Sequence, residues 1–233
     1  MEQAVNAEET NISHQAEEYL EAIYRLEDKV GYARTMDLSR ELGVVPGSIT
    51  NTIESLERKG LVTHEPYKGV KLTDDGRKIA SSILRRHRLA ERLLTDLLHL
   101  DWSEVHDPAC ELEHVLSPEI LKALEKTLGH PKRCPHGNPI PTNCGGTFEE
   151  ETVALAELDT KTCGVIVKIT EEKAETLKKL SRLKLTPGER IKVEDKTVPD
   201  GLLTVRIGNK TVKLDNDVAA IIYVKPNVRE VKD

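Results

Sequence analysis

The sequence is poor in aromatic residues and has no long apolar run, and each shortage excludes a class of protein. Phe, Trp and Tyr make up 3% of the 233 residues, whereas charged residues make up 32%. This composition favours helices over aromatic-rich sheets. No stretch approaches the roughly 18 consecutive apolar residues of a transmembrane helix. The N-terminal segment also lacks the basic and apolar regions of a signal peptide. We therefore expect a cytoplasmic protein with no membrane partner.

Cysteine is also scarce, and the net charge is of the wrong sign for an obvious nucleic-acid-binding protein. The four cysteines are Cys110, Cys134, Cys144 and Cys163. A cytosolic chain of this length does not need disulfides, so we interpret them as free thiols or metal ligands. The formal net charge is -6, but basic residues modestly outnumber acidic ones between Arg34 and Arg88. The charge therefore does not exclude DNA as a partner.

The first 73 residues carry the pattern of a winged helix-turn-helix. Apolar spacing predicts helices over 13–28, 35–42 and 46–59, each followed closely by a glycine. The stretch LVTHEPYKGVKLT then alternates apolar and polar residues around a proline and a glycine, which predicts two short strands joined by a turn. Helix, tight turn, helix and a wing are typical of DNA-binding domains.

The rest of the chain predicts a helical region and a small β-domain. Helices are expected over 73–98, 103–115 and 117–128, followed by a Pro- and Gly-rich stretch over 131–146. After it, short strands with one helix over 172–183 indicate a small barrel. The predicted fold is multi-domain and mainly α, with domains at 1–73, 74–146 and 147–233.

Two groups of side chains on predicted helices could bind a metal ion. His87 and Glu91 are four residues apart and share a helix face. His106, Cys110, Glu113 and His114 also fall on one face, within a stripe about 100° wide. Imidazole, thiolate and carboxylate together suit a transition metal better than Mg²⁺ or Ca²⁺. The alternative is a polar helix face with an incidental cysteine, and Pro108 would disturb the geometry of His106.

Two weaker groups lie outside these helices. His14, Glu18 and Glu21 share a face of the first helix, where solvated acids are the simpler interpretation. Cys134, His136 and Cys144 are irregularly spaced in the Pro-rich stretch, and a zinc site there has only three candidate ligands.

The sequence resembles the diphtheria-toxin-repressor family of iron- and manganese-dependent transcription regulators. The run RRHRLAERLLTDLLHLDWSEVHDPACELEH resembles the signature of that family. EEYLEAIYRLE, GSITNTIESLERKGLV and HGNPIPT resemble its other recurrent stretches, in the expected order. The segment over 164–226, including LKKLSRLKLTPGERIKV, is similar to the SH3-like, FeoA-type domain of longer members. The resemblance implies a repressor and not an enzyme.

The resemblance assigns the metal ligands to two sites. It implies an ancillary site of His87, Glu91 and His106, and a primary regulatory site of Cys110, Glu113 and His114, with Glu18 and Glu21 of the first helix as further candidate ligands. Iron-responsive relatives have a methionine where Glu18 stands, and manganese-responsive relatives have an acid where Cys110 stands. Thiolate favours Fe(II), with Co(II), Ni(II) or Zn(II) as substitutes, while the added acids make Mn(II) acceptable. We therefore expect Fe(II), with Mn(II) as the alternative.

The FeoA-type domain of iron-responsive relatives also supplies a Glu and a Gln to the ancillary site. The corresponding positions here hold Lys173 and Thr176, which puts that contribution in doubt. The neighbouring Glu172 or Glu175 could substitute after a small shift.

The resemblance also implies double-stranded operator DNA as the partner of a homodimer, with one or two dimers on each palindromic operator. The helix over 46–59 is expected in the major groove. The residues expected to contact DNA are Arg34, Arg40, Gly47, Ser48, Thr50 and Asn51, with Lys68 in the wing. Ser48 could instead simply cap the helix, and Arg34 could be a solvated charge.

Three alternatives remain open. A metal hydrolase is disfavoured because no HExxH motif, nucleophile elbow or phosphate loop occurs. A metal-independent winged-helix regulator would leave the His and Cys residues vestigial or bound to structural zinc. The C-terminal barrel could also bind a peptide or the Pro-rich linker of this chain.

Overall fold

A computed structural model of the chain describes residues 12–65, 67–142, 146–148, 150–197 and 201–226. Its contacts divide the chain into two compact units, which comprise residues 1–85 with 141–146 and residues 86–140 with 147–233. The three-domain division expected from the sequence stays a prediction.

The first unit contains the predicted winged helix-turn-helix. Its elements are α1 (His14–Val30), α2 (Thr35–Leu42), α3 (Pro46–Arg58), β1 (Val62–Glu65), β2 (Gly69–Leu72) and the start of α4 (Asp74–Arg92). The Ser13 hydroxyl accepts a hydrogen bond from the Ala16 N–H at 3.3 Å and so caps α1, as its position predicts. β1 and β2 pair antiparallel, with Val62 opposite Leu72.

One apolar core holds α1 to α3 and the wing together. The helices contribute one buried face each, at the spacing that the sequence predicts. Its fully buried large side chains are Tyr19, Leu20, Ile23, Leu38, Ile49, Leu56, Ile83 and Leu84. The opposite face of α3 is left exposed by this packing.

In the helical part of the second unit, two helix boundaries differ from those predicted from the sequence. The long helix predicted to reach Leu98 ends as an α-helix at Arg92 and continues as a π-helical segment, Leu93–Leu97. α5 (His106–Glu113) begins at His106 and not at Ser103. Pro108 therefore lies in the first turn, where a backbone N–H has no helical partner to lose. α6 (Pro118–Thr127) follows, with Ser117 as its N-cap.

The rest of the second unit is an antiparallel sheet with two helices. The strands are β3 (Val153–Ala154), β4 (Cys163–Ile169), β5 (Arg190–Thr197), β6 (Leu202–Ile207), β7 (Lys210–Asp215) and β8 (Ile222–Pro226), in the order β3-β8-β4-β5-β6-β7. α7 (Ala174–Arg182) connects β4 to β5. The sequence does not predict α8 (Asn216–Ala220), since AAIIYVKP reads as one continuous strand. The fold class, mainly helical with a C-terminal β-domain, is confirmed.

None of the described helices is long and apolar enough to cross a membrane.

Candidate metal centre and DNA-reading helix

The structure brings together the three side chains expected at the ancillary site. His87 and Glu91 lie one turn apart on α4, and both are fully buried. His87 Nε2 is 3.2 Å from Glu91 Oε1. His106, at the start of α5, places its Nδ1 3.2 Å from His87 Nε2 and 3.7 Å from Glu91 Oε1. The i, i+4 spacing on α4 and the position of α5 thus converge on one point.

Three further side chains join this point from segments without helical periodicity. His136 Nδ1 lies 3.0 Å from Glu91 Oε1, and Cys134 Sγ lies 4.0 Å from His136 Nδ1. Glu172, just before α7, places its Oε2 3.6 Å from His106 Nδ1. Cys134, His136 and Glu172 are all buried. The sequence suggested Cys134 and His136 only as a weak zinc group with Cys144, which lies outside the described residues.

Of the two acids named as possible substitutes, Glu172 is the one that lies in the cluster. It is buried, whereas its neighbours Lys173 and Glu175 are exposed. A metal-binding role for Glu172 in place of the aligned Lys173 and Thr176 stays a prediction. A shift of a functional position by one residue cannot be recognised from a single sequence.

The segment over 131–140 is held in place by backbone and by buried polar side chains. Gly137 N–H donates to Cys134 O, and Cys134 N–H donates to Asn138 O, both at 2.9 Å. Asn138 Nδ2 donates to Ile169 O at 2.9 Å and to Glu172 Oε1 at 3.0 Å. This tight turn therefore lies against the end of β4 and positions Glu172 at the same time.

Two of the three imidazole rings of the cluster, those of His136 and His87, have one nitrogen engaged by a neighbouring acceptor. His136 Nε2 donates to Trp102 O at 2.8 Å, and His87 Nδ1 donates to Glu113 Oε2 at 2.7 Å. The other nitrogen of each ring faces Glu91. Such outer contacts are what orient metal-binding imidazoles and fix their tautomers.

The three residues expected at the primary site, Cys110, Glu113 and His114, have different neighbours in the structure. Cys110 Sγ lies 3.9 Å from His87 Nδ1 and 3.9 Å from His106 Nε2. Glu113 contacts His87, and its Oε1 lies 3.5 Å from His114 Nε2. In the described residues, Cys110 groups with His87 and His106 as a possible ion site, not with Glu113 and His114. The assignment of Cys110, Glu113 and His114 to one site stays a prediction.

The charged groups of the cluster shift one another's pKa values. Burial opposes ionisation of Glu91, but the charges of His136 and His87 outweigh it and hold the pKa of Glu91 well below its usual value. Burial likewise opposes protonation of His136, yet Glu91 raises the pKa of His136 to about 11. The ionised carboxylate of Glu91 and the imidazoles around it therefore stabilise each other in their charged forms.

The pKa values of Cys110 and Cys134 are shifted in opposite directions. Burial, reinforced by the charge of Glu91, raises the pKa of the Cys134 thiol. Burial also acts on Cys110, but contacts with His106 and His87 outweigh it and lower the pKa of that thiol. A metal ion must therefore displace a proton from Cys134 before the sulfur can bind it.

One carboxylate oxygen of the cluster has no hydrogen-bond donor in the described structure, so its charge is available to a cation. Glu91 Oε2 is buried and has no hydrogen-bond donor in the described structure. A buried carboxylate oxygen without a donor is costly. The three imidazoles, two carboxylates and one thiol of the cluster are donor types that suit a borderline transition metal.

The acids of α1 belong to the first unit. Glu21 is buried and its Oε1 forms an ion pair with Arg25 at 2.6 Å, whereas Glu18 and His14 are exposed. Glu18 and Glu21 stay predicted metal ligands.

The expected DNA-reading residues lie on the exposed face of α3. Gly47, Ser48, Thr50 and Asn51 are all exposed. Ser48 is not the cap, because Val45 holds that position and Pro46 begins the helix. This exposed face is therefore made of small and polar groups, which can approach base edges in a major groove.

Outside α3, two of the side chains expected to contact phosphates form ion pairs within the protein. Arg34 and Arg40 are exposed, and Arg40 lies 3.5 Å from Asp37. Lys68 in the wing lies 3.2 Å from Glu65 Oε2. The sequence did not single out Tyr67, which is fully exposed at the wing tip.

Comparison with known proteins decides the family. The family model for the iron-dependent repressor N-terminal DNA-binding domain matches residues 11–70. The model for its metal-binding and dimerisation domain matches 73–142, and the FeoA domain matches 153–226. The iron-dependent repressor IdeR of Mycobacterium tuberculosis is 34% identical over 222 residues, covering 90% of this chain and 96% of that protein. The chain belongs to the diphtheria-toxin-repressor family of metal-dependent transcriptional repressors.

Both iron- and manganese-dependent proteins are similar to this member of the diphtheria-toxin-repressor family. The diphtheria toxin repressor of Corynebacterium diphtheriae is 32% identical over 219 residues, covering 90% of this chain and 96% of that protein. A solved manganese-dependent transcriptional repressor in complex with manganese is 30% identical, with a TM-score of 0.82, and covers 90% of this chain and 98% of that chain. The family is thereby established.

Proposed function

We propose that this repressor is activated by Fe(II) and then binds a palindromic operator as a homodimer, controlling genes of metal homeostasis. The observation that carries the proposal is the buried cluster around Glu91, whose Oε2 has no hydrogen-bond donor in the described structure. The chain is proposed not to be an enzyme, since the matched domains and relatives are those of DNA-binding repressors.

The donor set supports Fe(II) over Mn(II). Cys134 adds a second thiol to a region that already contains Cys110, and thiolates favour Fe(II), Co(II), Ni(II) and Zn(II) over Mn(II). Mn(II) remains the second candidate because Glu18 and Glu21 add carboxylates and because a manganese-dependent repressor has a similar structure.

In the second unit the ion would be held by Glu91 and Glu172, together with either His87 and His106 or Cys134 and His136. It would supply positive charge that replaces the imidazolium protons and satisfies Glu91. Because a ligand shifts a conformational equilibrium only through its differential affinity, the metal must bind the operator-binding form more tightly than the other form.

The second unit also offers a surface for a homodimer. Leu97, Leu98, Leu100, Val115 and Ile120 are large apolar side chains left exposed there. They lie within the region that matches the metal-binding and dimerisation domain of the family. Exposed large apolar side chains are available for an interaction surface, and a palindrome requires a symmetric partner.

Operator binding under controlled metal tests the function. A palindrome selected from random DNA is titrated anaerobically at fixed salt, with excess chelator, Fe(II) or Mn(II), and binding is followed by anisotropy. We expect tight binding only with metal and at lower free Fe(II) than free Mn(II). Equal binding in chelator would instead indicate the metal-independent regulator, and tighter binding with Mn(II) would reverse the choice of metal.

A further inference from the structure

The wing has an aromatic residue at a turn position that normally holds a small one. Lys68 N–H donates to Glu65 O at 3.1 Å and closes a four-residue turn between β1 and β2. Tyr67, at the third position of this turn, has a φ of +66°. Glycine and asparagine are the usual residues there, because a bulky side chain is strained in the left-handed region. The turn itself therefore gives no reason for a tyrosine.

The core of the first unit does not use the Tyr67 ring either. The wing contributes Val62, Val70 and Leu72 to that core, whereas Tyr67 is fully exposed. A single exposed aromatic residue is common, but this one is held on a strained backbone. Strained positions are concentrated where a side chain contacts a partner. The ring is thus placed for a contact outside the chain.

The basic side chains next to Tyr67 suit a nucleic acid. Lys71 Nζ lies 4.3 Å from the centroid of the Tyr32 ring, and Lys68 Nζ lies 5.4 Å from it. Both ammonium groups are therefore held by the same aromatic ring. Glu65 pairs with Lys68, so two cations and one carboxylate leave the wing with a positive charge. Phosphates are the groups that such a charge attracts.

The first strand of the wing is attached to the exposed face of α3. His64 N–H donates to Glu57 Oε1 at 3.2 Å. Glu57 lies seven residues after Thr50, so the two residues share a face of the helix, and both are exposed. The wing thus begins beside the row of side chains that is expected in the major groove.

The second strand of the wing is attached to the segment before α2. Ala33 and Val70 exchange backbone hydrogen bonds of 3.0 Å and 2.9 Å. The contact is close, because a Cβ at Gly69 would lie 2.6 Å from Ala33 O. Arg34, an expected phosphate contact, follows directly and is exposed. The tip of the wing is therefore held between two surfaces that are expected to face DNA.

A tyrosine at this tip suits the minor groove better than a phosphate. Phosphates are contacted mainly by cations and small polar groups. The phenol offers an apolar ring for the sugars and a hydroxyl for the acceptors adenine N3 and thymine O2. At G·C pairs the guanine amino group also projects into this groove. The ring should therefore fit more closely at A·T pairs.

We propose that Tyr67 enters the minor groove beside each operator half-site and makes the repressor prefer A·T pairs there, while Lys68 and Lys71 contact the phosphates at its edge. The proposal rests on the proposed operator binding and adds a sequence preference outside the bases that α3 reads.

Two operators that differ only beside the half-sites test the preference. Full-length Co(II)-loaded protein is titrated by anisotropy, at fixed salt, with the selected palindrome flanked by A·T or by G·C pairs. Wild type should bind the A·T operator roughly 10-fold more tightly. Tyr67→Asn gives the turn a residue that it favours and should bind both operators equally and weakly. Phe148→Asn changes an exposed aromatic residue in the second unit and should behave as wild type.

Thermal unfolding and salt dependence control for other effects of these changes. Tyr67→Asn should unfold at the same temperature as wild type or higher, because the strain at this position is relieved. Lys71→Gln should lower the slope of log affinity against log salt by about 1 per protomer and keep the A·T preference. Tyr67→Asn should leave that slope unchanged, since a phenol neutralises no phosphate.

Hydroxyl-radical footprinting locates the contact on the DNA. Wild type should protect the minor-groove sugars beside each half-site, and Tyr67→Asn should lose this protection while keeping that over the half-sites. Equal affinity of wild type for the two operators, or an A·T preference that persists in Tyr67→Asn, would overturn the minor-groove contact.

The same titrations separate this proposal from the proposed function. Operator binding that ignores chelator would overturn the metal switch alone, because the A·T preference would still report on Tyr67. Wild type that binds no selected DNA in any metal would overturn both.

Discussion

Asn138 connects the turn over 134–138 to Glu172 through a single buried amide. Its Nδ2 hydrogen bonds reach both Ile169 O and Glu172 Oε1. We expect Asn138→Ala to destabilise the protein by about 1–3 kcal/mol, because two buried acceptors lose their donor. Metal affinity should fall roughly 10- to 100-fold, since the amide orients a ligand.

Calorimetric titration with Co(II) and thermal unfolding measure these effects. Asn209→Ala, at an exposed turn position, is the matched control. Unchanged Co(II) affinity in a folded Asn138→Ala variant would show that the amide does not position Glu172.

His106 should make the stability of the metal-free protein depend on pH. Burial opposes its protonation, but contacts with Cys110 and Glu91 and the charge of Glu172 raise its pKa from 6.5 to about 9. A raised folded-state pKa contributes stability that is fully present below pH 6.5 and is lost as pH rises through 9. In chelator, the wild type should therefore lose up to about 3 kcal/mol more than His106→Gln over this range.

Denaturant unfolding at pH 6 and pH 9.5 gives the difference between the two proteins. His130→Gln, which removes an exposed imidazole, should follow the wild type. Parallel pH profiles for wild type and His106→Gln would contradict the assigned role of the imidazolium.

At the scale of elements, the turn over 134–138 depends on close contact with β4. The β4–β8 register shifts between Ile166 and Lys168, a bulge that leaves Val167 beside the turn. A Cβ at Gly137 would lie 1.9 Å from Val167 O and 2.8 Å from Lys168 Cα. Only glycine fits at this contact.

Gly137→Ala should therefore displace the turn, lower stability by about 1–3 kcal/mol and weaken metal binding through Cys134 and His136. Gly129→Ala is the control, because Gly129 also has a positive φ, +70°, but nothing within 4 Å of an added Cβ. It should show only the backbone cost, about 1 kcal/mol. Thermal unfolding and Co(II) absorption distinguish them, and equal metal affinity in both variants would rule out the role of the turn.

The elements also show what a single sequence can and cannot predict. The helices of the first unit follow from apolar spacing and glycine stops, and α2 has the predicted bounds. The pair His87 and Glu91 is visible because both lie on one helix. Cys134, His136 and Glu172 come from a turn and a loop, where no periodicity indicates which residues meet.

At the scale of the whole molecule, dimerisation should depend on the apolar surface of the second unit. Leu98 is 57% exposed in the single chain. Leu98→Glu should weaken self-association by roughly 100-fold or more, because an unpaired charge would be buried. Operator affinity should fall with it.

Sedimentation at graded concentrations measures the association. Phe148→Glu, which changes another exposed apolar residue outside this surface, is the control. Dimers of unchanged stability in Leu98→Glu would place the interface elsewhere.

The central claim is that the buried metal cluster controls operator binding, and one measurement tests it most directly. Operator affinity is measured anaerobically against free Fe(II) at fixed salt for wild type, Glu91→Gln and His130→Gln. The account predicts metal-dependent binding for wild type and His130→Gln, and a loss of that dependence, with weak binding throughout, for a folded Glu91→Gln variant. If Glu91→Gln binds the operator with the same Fe(II) dependence as wild type, the cluster around Glu91 does not control repression.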